Sequence, residues 1–250
     1  MKDFKVFSVS ILVCVGMILL YGIGAVNALP FNNNRPYDSG KLYNNGSSED
    51  SLQDVFDKTF GERTIDAVSD QSNVAIWQQS DVNSNAYMIT LLSAAENVLG
   101  IYSYNTGEEY LFDSLTSTNT VGFAINNQGD LYVDGSLAKS NFGKSFGFYT
   151  RVGGSTKYYT EDDKNNNKIR ALAYLIPEGT AAELSYLYGT TTILNGNDDW
   201  VVAFEDWTDE DFQDAVFLLE DMTPVPEPAT ILLLGVGLIG LAGVARRKIK

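Results

Sequence analysis

Residues 198–220 read DDWVVAFEDWTDEDFQDAVFLLE. An apolar run rich in Val and aromatic residues comes first, an acidic segment follows, and a second apolar run ends the stretch. Apolar runs of this kind are typical of strands, and a short polar segment between two of them is typical of a turn. The stretch therefore predicts a strand, an acidic turn and a returning strand.

The acidic turn is a candidate metal site. Carboxylates as dense as these repel one another unless solvent or a cation screens them. The chain has no histidine, so the available ligands are hard oxygen atoms, which favour Ca²⁺ over zinc or copper. The predicted metal ligands are Glu205, Asp206, Asp209, Asp211 and Asp214.

The EF-hand loop, the nearest standard calcium-binding template, does not fit this turn. With Asp209 at position 1, Asp214 stands at position 6, where the sharp turn of the loop requires Gly. A second acidic run, residues 161–167, fails the same test at Lys168. The alternative for both runs is a solvated turn whose charges only keep the surface soluble.

Outside the acidic turn, region 51–222 continues the strand pattern. From Asn73 onward, short β-branched or aromatic runs recur about every ten residues, with turn-forming Asn, Asp and Gly between them. We therefore predict an all-β domain, an antiparallel β-sandwich or jelly-roll-like fold. Residues 181–188 fit a helical turn or a strand equally well. The predicted strands are Ala75–Trp77, Tyr87–Leu92, Val98–Tyr104, Tyr110–Phe112, Val121–Ile125, Leu131–Val133, Ser145–Arg151, Lys157–Tyr159 and Ile169–Ile176.

A short helix is predicted before the strands, and a polar segment before the helix. Ser51 followed three residues later by Asp54 is a capping-box pattern, and Gly61 stands where such a helix would end. Residues 29–50 are rich in Asn, Gly and Ser and show no apolar period, which predicts a disordered tether. The apolar face of the helix comprises Leu52, Val55, Phe56 and Phe60.

The region between the terminal segments is strongly acidic. Residues 29–222 contain 11 Lys and Arg against 30 Asp and Glu, a net charge of −19. Such a surface repels nucleic acid, which excludes nucleic-acid binding, and it attracts divalent cations. The only cysteine of the chain, Cys14, precedes this region. The mature domain therefore has neither a disulfide nor thiol chemistry.

The N-terminal segment predicts export. Lys2 and Lys5 are followed by a long uncharged run and by small residues that end at Ala28. We predict a signal peptide over residues 1–28, cut after Ala28 by signal peptidase. The apolar run is longer than in most signal peptides, so a retained N-terminal anchor is the alternative.

Residues 223–250 predict a second targeting segment. Prolines hold its first part extended, and an uncharged run over 229–245 follows, about 25 Å long as a helix. That length suffices for a bilayer core, so we predict a transmembrane helix over 229–245 that anchors the chain before processing. The cluster expected on the cytoplasmic side of the membrane consists of Arg246, Arg247 and Lys248.

The order of these pieces, VPEPAT, a Gly/Leu-rich span and RRK, resembles the PEP-CTERM sorting tail of Gram-negative bacteria. In that family a membrane-embedded exosortase recognises the Pro-Glu-Pro motif, which implies processing and transfer to the cell surface or the extracellular matrix. The matching sorting residues here are Pro226, Glu227 and Pro228.

A second resemblance covers most of residues 51–221. The run WVVAFEDWTDEDFQDAVF, residues 200–217, is similar to the closing signature of the extracellular domain of unknown function numbered 4114. The resemblance implies calcium at the acidic positions of the turn and no established enzymatic activity. Gln213 replaces the Asn of the family pattern. Further landmarks are Ser51–Val55, Val98–Tyr102, Phe146–Tyr149 and Lys157–Asp162.

Together these features predict an exported, non-enzymatic protein of the cell surface or of an exopolysaccharide (biofilm) matrix, with Ca²⁺ and acidic groups bridging to anionic polymer. A lectin-like carbohydrate-binding module is the first alternative. Trp207, on the acidic turn, is its candidate sugar-stacking residue, whereas Trp77 and Trp200 are expected in the core. An enzyme acting on polysaccharide is a remote alternative, since no pair of carboxylates can be assigned to catalysis from the sequence.

Overall fold

The computed structural model describes residues 35–44, 46, 48–80, 84–91, 97–113, 120–183, 192–194 and 198–225, of which 84–91 and 192–194 as backbone only. These residues belong to one structural unit, Pro30–Val225. The predicted signal peptide, 1–28, and the predicted transmembrane helix, 229–245, lie outside them. Within the described residues, no helix has the length and apolar character needed to cross a bilayer.

Antiparallel strands build almost all of the described fold, with one α-helix and a single 3-10 turn, Asp163–Asn165, besides. The helix, α1, spans Leu52–Phe60. The strands are β1 Gln71–Ser72, β2 Trp77–Gln79, β3 Ser84–Leu91, β4 Asn97–Ser103, β5 Glu109–Leu111, β6 Thr120–Ile125, β7 Leu131–Val133, β8 Ser136–Lys139, β9 Phe146–Val152, β10 Thr156–Tyr159, β11 Ala171–Leu175, β12 Ala181–Glu183, β13 Thr192–Leu194, β14 Trp200–Phe204, β15 Ala215–Leu219 and β16 Met222–Pro224.

The strands form two large sheets and one small one. An eight-stranded sheet has the order β1-β11-β14-β15-β3-β6-β7-β8, and a six-stranded sheet has the order β16-β2-β9-β4-β5, with β10 also paired to β9. Strands β12 and β13 pair separately. The open alternative for residues 181–188 is thus a strand in its first three residues, and residues 184–191 lie outside the described part.

A shared core joins the two large sheets into a sandwich. It takes buried side chains from the eight-stranded sheet, such as Phe217 and Trp200, and from the six-stranded sheet, such as Phe148. The ring of Trp77 lies 5.7 Å from that of Phe148 and 5.8 Å from that of Trp200, measured between centroids. The predicted antiparallel all-β class is therefore confirmed, and Trp77 and Trp200 are core residues as expected.

The eight-stranded sheet is covered on its second face as well. There a separate core contains Phe56 of α1, Tyr174 of β11 and Val216 of β15. Every residue of β14 and β15 is buried, because alternate side chains enter different cores. Strands buried on both faces are apolar throughout instead of alternating. The two predicted layers thus become three in the structure.

Helix α1 begins and ends where the sequence predicts. The side chain of Ser51 accepts a hydrogen bond from the Asp54 N–H at 3.2 Å, and the Asp54 carboxylate accepts one from the Ser51 N–H at 2.9 Å. Gly61 ends the helix at a φ of 94°, a conformation that a side chain would strain. The four predicted apolar residues of the helix are all buried against the large sheet.

Part of the segment predicted as a disordered tether is packed against the domain. Arg35 forms a 3.3 Å ion pair with Asp162, the ring of Tyr37 lies 5.6 Å from that of Phe212, and Leu42 is fully buried. Polar composition indicates disorder only when too little apolar surface is available for burial. Here a few widely spaced side chains are enough to hold the segment, because they pack against the second face of the eight-stranded sheet.

The last strand carries the domain beyond its predicted end at residue 222. Strand β16 pairs with β2 up to Pro224, and the Val225 N–H donates to the Ile76 carbonyl at 3.1 Å. A proline is tolerated here because β16 lies at the edge of its sheet. The predicted tail therefore starts inside the folded domain.

Candidate metal centre and its flanking pocket

The acidic turn connects two neighbouring central strands. Strand β14 ends at Phe204, β15 begins at Ala215, and the two pair in antiparallel register. Within the turn, Glu210 and Phe212 adopt positive φ angles of 66° and 57°. Non-glycine residues in this region are strained and persist only where the surroundings hold them. The buried ring of Phe212 supplies that hold through its contact with Tyr37.

The turn gathers four of the five predicted metal ligands. Glu205, Asp209, Asp211 and Asp214 each offer one oxygen, and these oxygens all lie within 4.8 Å of one another. All but Asp209 are buried. Such a convergence of carboxylates is costly in the absence of a cation, because like charges at this distance repel one another strongly.

Backbone amides fix the carboxylates in place. Glu205 accepts hydrogen bonds from the N–H groups of Trp207 at 2.8 Å and of Asp211 at 3.1 Å. Asp214 accepts one from the Asp206 N–H at 2.8 Å. Each of these carboxylates can therefore present an oxygen lone pair to the centre of the cluster without losing its orientation.

Two buried oxygen atoms at the cluster remain without a hydrogen bond. Within the part of the chain that the structure describes, neither Asp211 Oδ1 nor Gln213 Oε1 has a partner. Gln213 Nε2 donates to Asp211 Oδ2 at 3.0 Å, which holds the amide beside the cluster. An unsatisfied buried acceptor is unfavourable, and a cation bound within reach would satisfy it. Gln213 is a candidate ligand besides the five that the sequence predicts.

Proton affinity in the cluster is abnormally high. Burial, reinforced by the Asp209 and Asp211 carboxylates, raises the pKa of Glu205 to about 7. Burial, reinforced by the Asp206, Glu205 and Asp211 carboxylates, raises the pKa of Asp214 to about 8. Burial raises the pKa of Asp211 in the same direction. At neutral pH the cluster thus binds positive charge, as protons or as a metal ion.

Asp206, the fifth predicted ligand, lies outside the group of four. Its Oδ2 accepts a hydrogen bond from Asn97 Nδ2 at 2.9 Å, across from β4. Asn97 in turn accepts one from the Thr150 hydroxyl at 3.3 Å. Asp206 therefore ties the turn to the six-stranded sheet.

The second acidic run, 161–167, does not form a cluster of this kind. Asp162 pairs with Arg35, and the Glu161 carboxylate lies 3.9 Å from the ammonium of Lys164. Asn165 uses its side chain on the backbone of Tyr159, accepting from its N–H at 2.9 Å and donating to its carbonyl at 2.7 Å. Glu161 Oε1 is buried without a hydrogen bond to any described residue, but cations of the protein itself, Arg35 and Lys164, lie beside the carboxylates of this run.

A pocket of about 370 Å³ adjoins the cluster of four carboxylates and shares Glu205 with it. Its lining includes Tyr37, Lys168, Arg170 and Glu210. Trp207, next in the chain to the lining residue Thr208, is 72% exposed. The expectation that Trp207 lies outside the core is therefore confirmed.

A family comparison matches residues 224–248 to the PEP-CTERM protein-sorting motif. The chain carries a PEP-CTERM sorting motif. Its central residues Pro226, Glu227 and Pro228, like the basic cluster that follows, lie outside the described residues. The likeness of residues 51–221 to the domain of unknown function 4114 stays a resemblance.

Among solved structures, two lectins are similar to this chain. The lectin CV2L of Chromobacterium violaceum, in complex with alpha-methyl-fucoside, is 15% identical over 62% of this chain and 100% of the lectin, with a TM-score of 0.27. The C-terminal domain of the BC2L-C lectin of Burkholderia cenocepacia is 10% identical over 61% and 97%, with a TM-score of 0.26. Scores this low carry no conclusion. No curated protein matches the chain.

Proposed function

We propose that the protein is a non-enzymatic component of the cell surface or of an exopolysaccharide matrix, exported, sorted by an exosortase, and carrying a Ca²⁺ site on its acidic turn. The observation that carries the proposal is the convergence of four carboxylates around buried oxygens that have no hydrogen-bond partner. Bound Ca²⁺ and the acidic surface would bridge the protein to anionic polymer.

Calcium fits this donor set better than other common metals. The cluster offers carboxylate oxygens from four side chains, and the amide oxygen of Gln213 lies beside them. Ca²⁺ takes six to eight oxygen ligands in flexible geometry, whereas Mg²⁺ demands a near-ideal octahedron and retains its water. A crowded, irregular set of carboxylates therefore favours Ca²⁺.

Thermal unfolding of the full chain, purified in detergent, tests the metal site. A ligand that binds only the native state at a hundred times its Kd stabilises that state by about 2.7 kcal/mol. We therefore expect millimolar Ca²⁺ to raise Tm by roughly 5–10 °C above its value in EDTA.

The variant Asp211→Asn supplies the control. The substitution keeps the size of the side chain and removes the negative charge of a carboxylate whose Oδ1 has no hydrogen-bond partner in the described part of the chain. We therefore expect Ca²⁺ to raise the Tm of this variant little or not at all. Asp163→Asn, an exposed acid of the second acidic run, should respond to Ca²⁺ like the wild type. An equal response of all three proteins would return the turn to a solvated acidic surface.

The sorting motif makes a separate prediction. Replacing Glu227 with Ala removes the acid between the two prolines that an exosortase is expected to read. We expect the variant to accumulate as an unprocessed, membrane-held form of larger electrophoretic size. Release at the wild-type size would show that no enzyme reads Glu227 for processing, and it would not bear on the proposed metal site.

A lectin-like module is the second candidate function, and the exposed Trp207 favours it. An indole ring that is 72% exposed on a turn can stack against a sugar ring. Trp207→Ala should abolish binding on a glycan array if a discrete sugar site exists. Nonspecific bridging through Ca²⁺ would survive the substitution.

A further inference from the structure

The pocket beside the cluster of four carboxylates combines charges of both signs. Two carboxylates, Glu205 and Glu210, lie among its lining residues, and so do two cations, Lys168 and Arg170. Neither cation forms a salt bridge with any carboxylate among the described residues. In a domain with so large an excess of acids, cations without an acidic partner at a pocket indicate an anionic ligand.

The Arg170 guanidinium is held in place. One of its nitrogens donates to the Trp207 carbonyl, and its central carbon lies 4.6 Å from the centre of the Tyr158 ring. A guanidinium fixed in this way keeps further donors for a planar acceptor such as a carboxylate. Lys168, exposed at the same pocket, adds an ammonium.

The remaining polar residues that line the pocket, here called the polar wall, supply groups that suit hydroxyls. Burial together with the Glu210 carboxylate raises the pKa of Tyr37 to about 12, so its hydroxyl keeps its proton and can donate a hydrogen bond. Thr208 and Asn167 add a hydroxyl and an amide. The Ser39 hydroxyl fixes this wall by donating to the Glu210 carbonyl at 2.6 Å.

We infer that this pocket binds a carboxylated sugar unit of an anionic polysaccharide, with Lys168, Arg170 and the cation at Glu205 taking the carboxylate and the polar wall taking the ring hydroxyls. The inference rests on the proposed function and names its ligand class. A pocket of about 370 Å³ is of the size that holds a small molecule or one to two sugar units.

The test uses the full chain in detergent, short oligomers of galacturonic acid, and the same oligomers reduced at the carboxyl group to neutral galactose. A change in tryptophan fluorescence reports binding. We assign this change to the exposed Trp207, because the other two tryptophans, Trp77 and Trp200, are buried away from a surface ligand. In Ca²⁺ we expect the acidic oligomer to bind and the reduced oligomer to bind at least tenfold more weakly. Lys168→Ala should weaken the acidic oligomer about tenfold, the usual worth of a charged hydrogen bond.

Lys144→Ala is the matched control. Lys144 is also an exposed lysine, but it lines a different pocket, between β2 and β6, so this variant should bind like the wild type. Equal binding of the acidic and reduced oligomers, or wild-type affinity in Lys168→Ala, would overturn the inference.

The two failures are separable. A Tm response to Ca²⁺ without uronate binding would refute the inference and leave the proposed metal site standing. Uronate binding that is unchanged in EDTA, with no Tm response to Ca²⁺, would refute the metal site and also the part that the inference gives to the cation at Glu205. The carboxylate would then be bound by Lys168 and Arg170 alone.

Discussion

The two acidic runs, 161–167 and 205–214, look alike in sequence and differ in how their charge is balanced. In run 161–167, Arg35 pairs with Asp162 and Lys164 lies near Glu161. In run 205–214, none of the four clustered acids forms a salt bridge with a described residue, and their oxygens converge within 4.8 Å. Run 161–167 therefore has counter-charges from the protein itself, and the clustered acids of run 205–214 have none among the described residues.

The difference shows that carboxylate density alone does not indicate a metal site. Both runs concentrate carboxylates, and each holds a buried oxygen without a hydrogen bond among the described residues, Glu161 Oε1 in 161–167 and Asp211 Oδ1 in 205–214. In 161–167 a lysine of the protein, Lys164, lies 3.9 Å from that oxygen. In 205–214 four carboxylates converge instead, and the pKa of Glu205 rises to about 7 and that of Asp214 to about 8. Convergence of carboxylates without a cation from the protein, rather than their number along the chain, indicates where a metal ion would bind.

Removing the internal counter-charge should have the largest effect. The Arg35 side chain is buried, and besides Asp162 it binds the Ala171 carbonyl at 2.9 Å. Arg35→Ala leaves Asp162 without its cation, so we expect the free energy of unfolding to fall by about 3 kcal/mol and Tm by roughly 6–12 °C. Thermal unfolding should show the same loss in EDTA and in Ca²⁺.

Arg63→Ala is the control for this loss. Arg63 also pairs with an acid, Asp66 at 3.1 Å, but its side chain is 58% exposed. An exposed pair of this kind contributes less than about 1 kcal/mol. If Arg35→Ala and Arg63→Ala lower the free energy of unfolding equally, burial of the Arg35–Asp162 pair would not be what stabilises run 161–167.

The pH dependence of stability should sharpen the comparison next. The pKa values of Glu205 and Asp214, about 7 and about 8, are raised above those of an unfolded chain. Between roughly pH 4 and pH 8 the folded, metal-free protein therefore holds more protons than the unfolded one. Its stability falls as pH rises through this window and levels off above it.

Saturating Ca²⁺ removes this effect, because the metal-bound carboxylates are ionised in the folded state too. We expect urea unfolding to give a stability gap between Ca²⁺ and EDTA that widens from pH 5 to pH 8. Every other titrating group contributes to both curves and cancels in the gap. Parallel curves would mean that metal binding does not displace protons from Glu205 and Asp214.

The smallest expected effect is a change of calcium affinity without a change of fold. Asp209 is the exposed member of the cluster, so Asp209→Asn should leave the free energy of unfolding in EDTA within about 0.5 kcal/mol of the wild-type value. Loss of one ligand charge should weaken Ca²⁺ binding roughly tenfold in a calorimetric titration. An unchanged affinity would remove Asp209 from the ligand set.

Local patterns predicted much of the fold. The capping box at Ser51 and Asp54, and the β-branched and aromatic runs, predicted the helix and eleven of the strands, because capping and side-chain alternation are decided by neighbours in the chain. The short strands β1, β8, β13 and β16 were missed, since two to four residues carry no readable period.

Long-range packing was not predicted. The third layer depends on Tyr37 and Leu42 reaching the second face of the large sheet, and neither residue stands in a periodic pattern. The uninterrupted apolar runs of β14 and β15 were the available signal, since such runs indicate burial on both faces. Composition instead led to a disordered tether at 29–50.

The prediction of the site shows the same division between local and long-range features. Sequence identified the acids of the turn, because residue type and spacing are local, but not which side chains converge. Asp206 turns to Asn97, and Gln213, which was not among the predicted ligands, has a buried amide oxygen without a hydrogen bond to any described residue. The turn contains positive φ angles at Glu210 and Phe212, and Tyr37, far away in sequence, packs against Phe212. Local patterns do not predict such a backbone.

The strand order of the large sheet has a consequence for the timing of folding. Strands β14 and β15 lie between β11 and β3, so the eight-stranded sheet stays incomplete until the chain up to residue 219 is free to pair. Pairings this distant in sequence form slowly. The sorting motif begins shortly afterwards, at residue 224. On the proposed export route, the domain would therefore complete its fold only when the start of the sorting motif has also emerged.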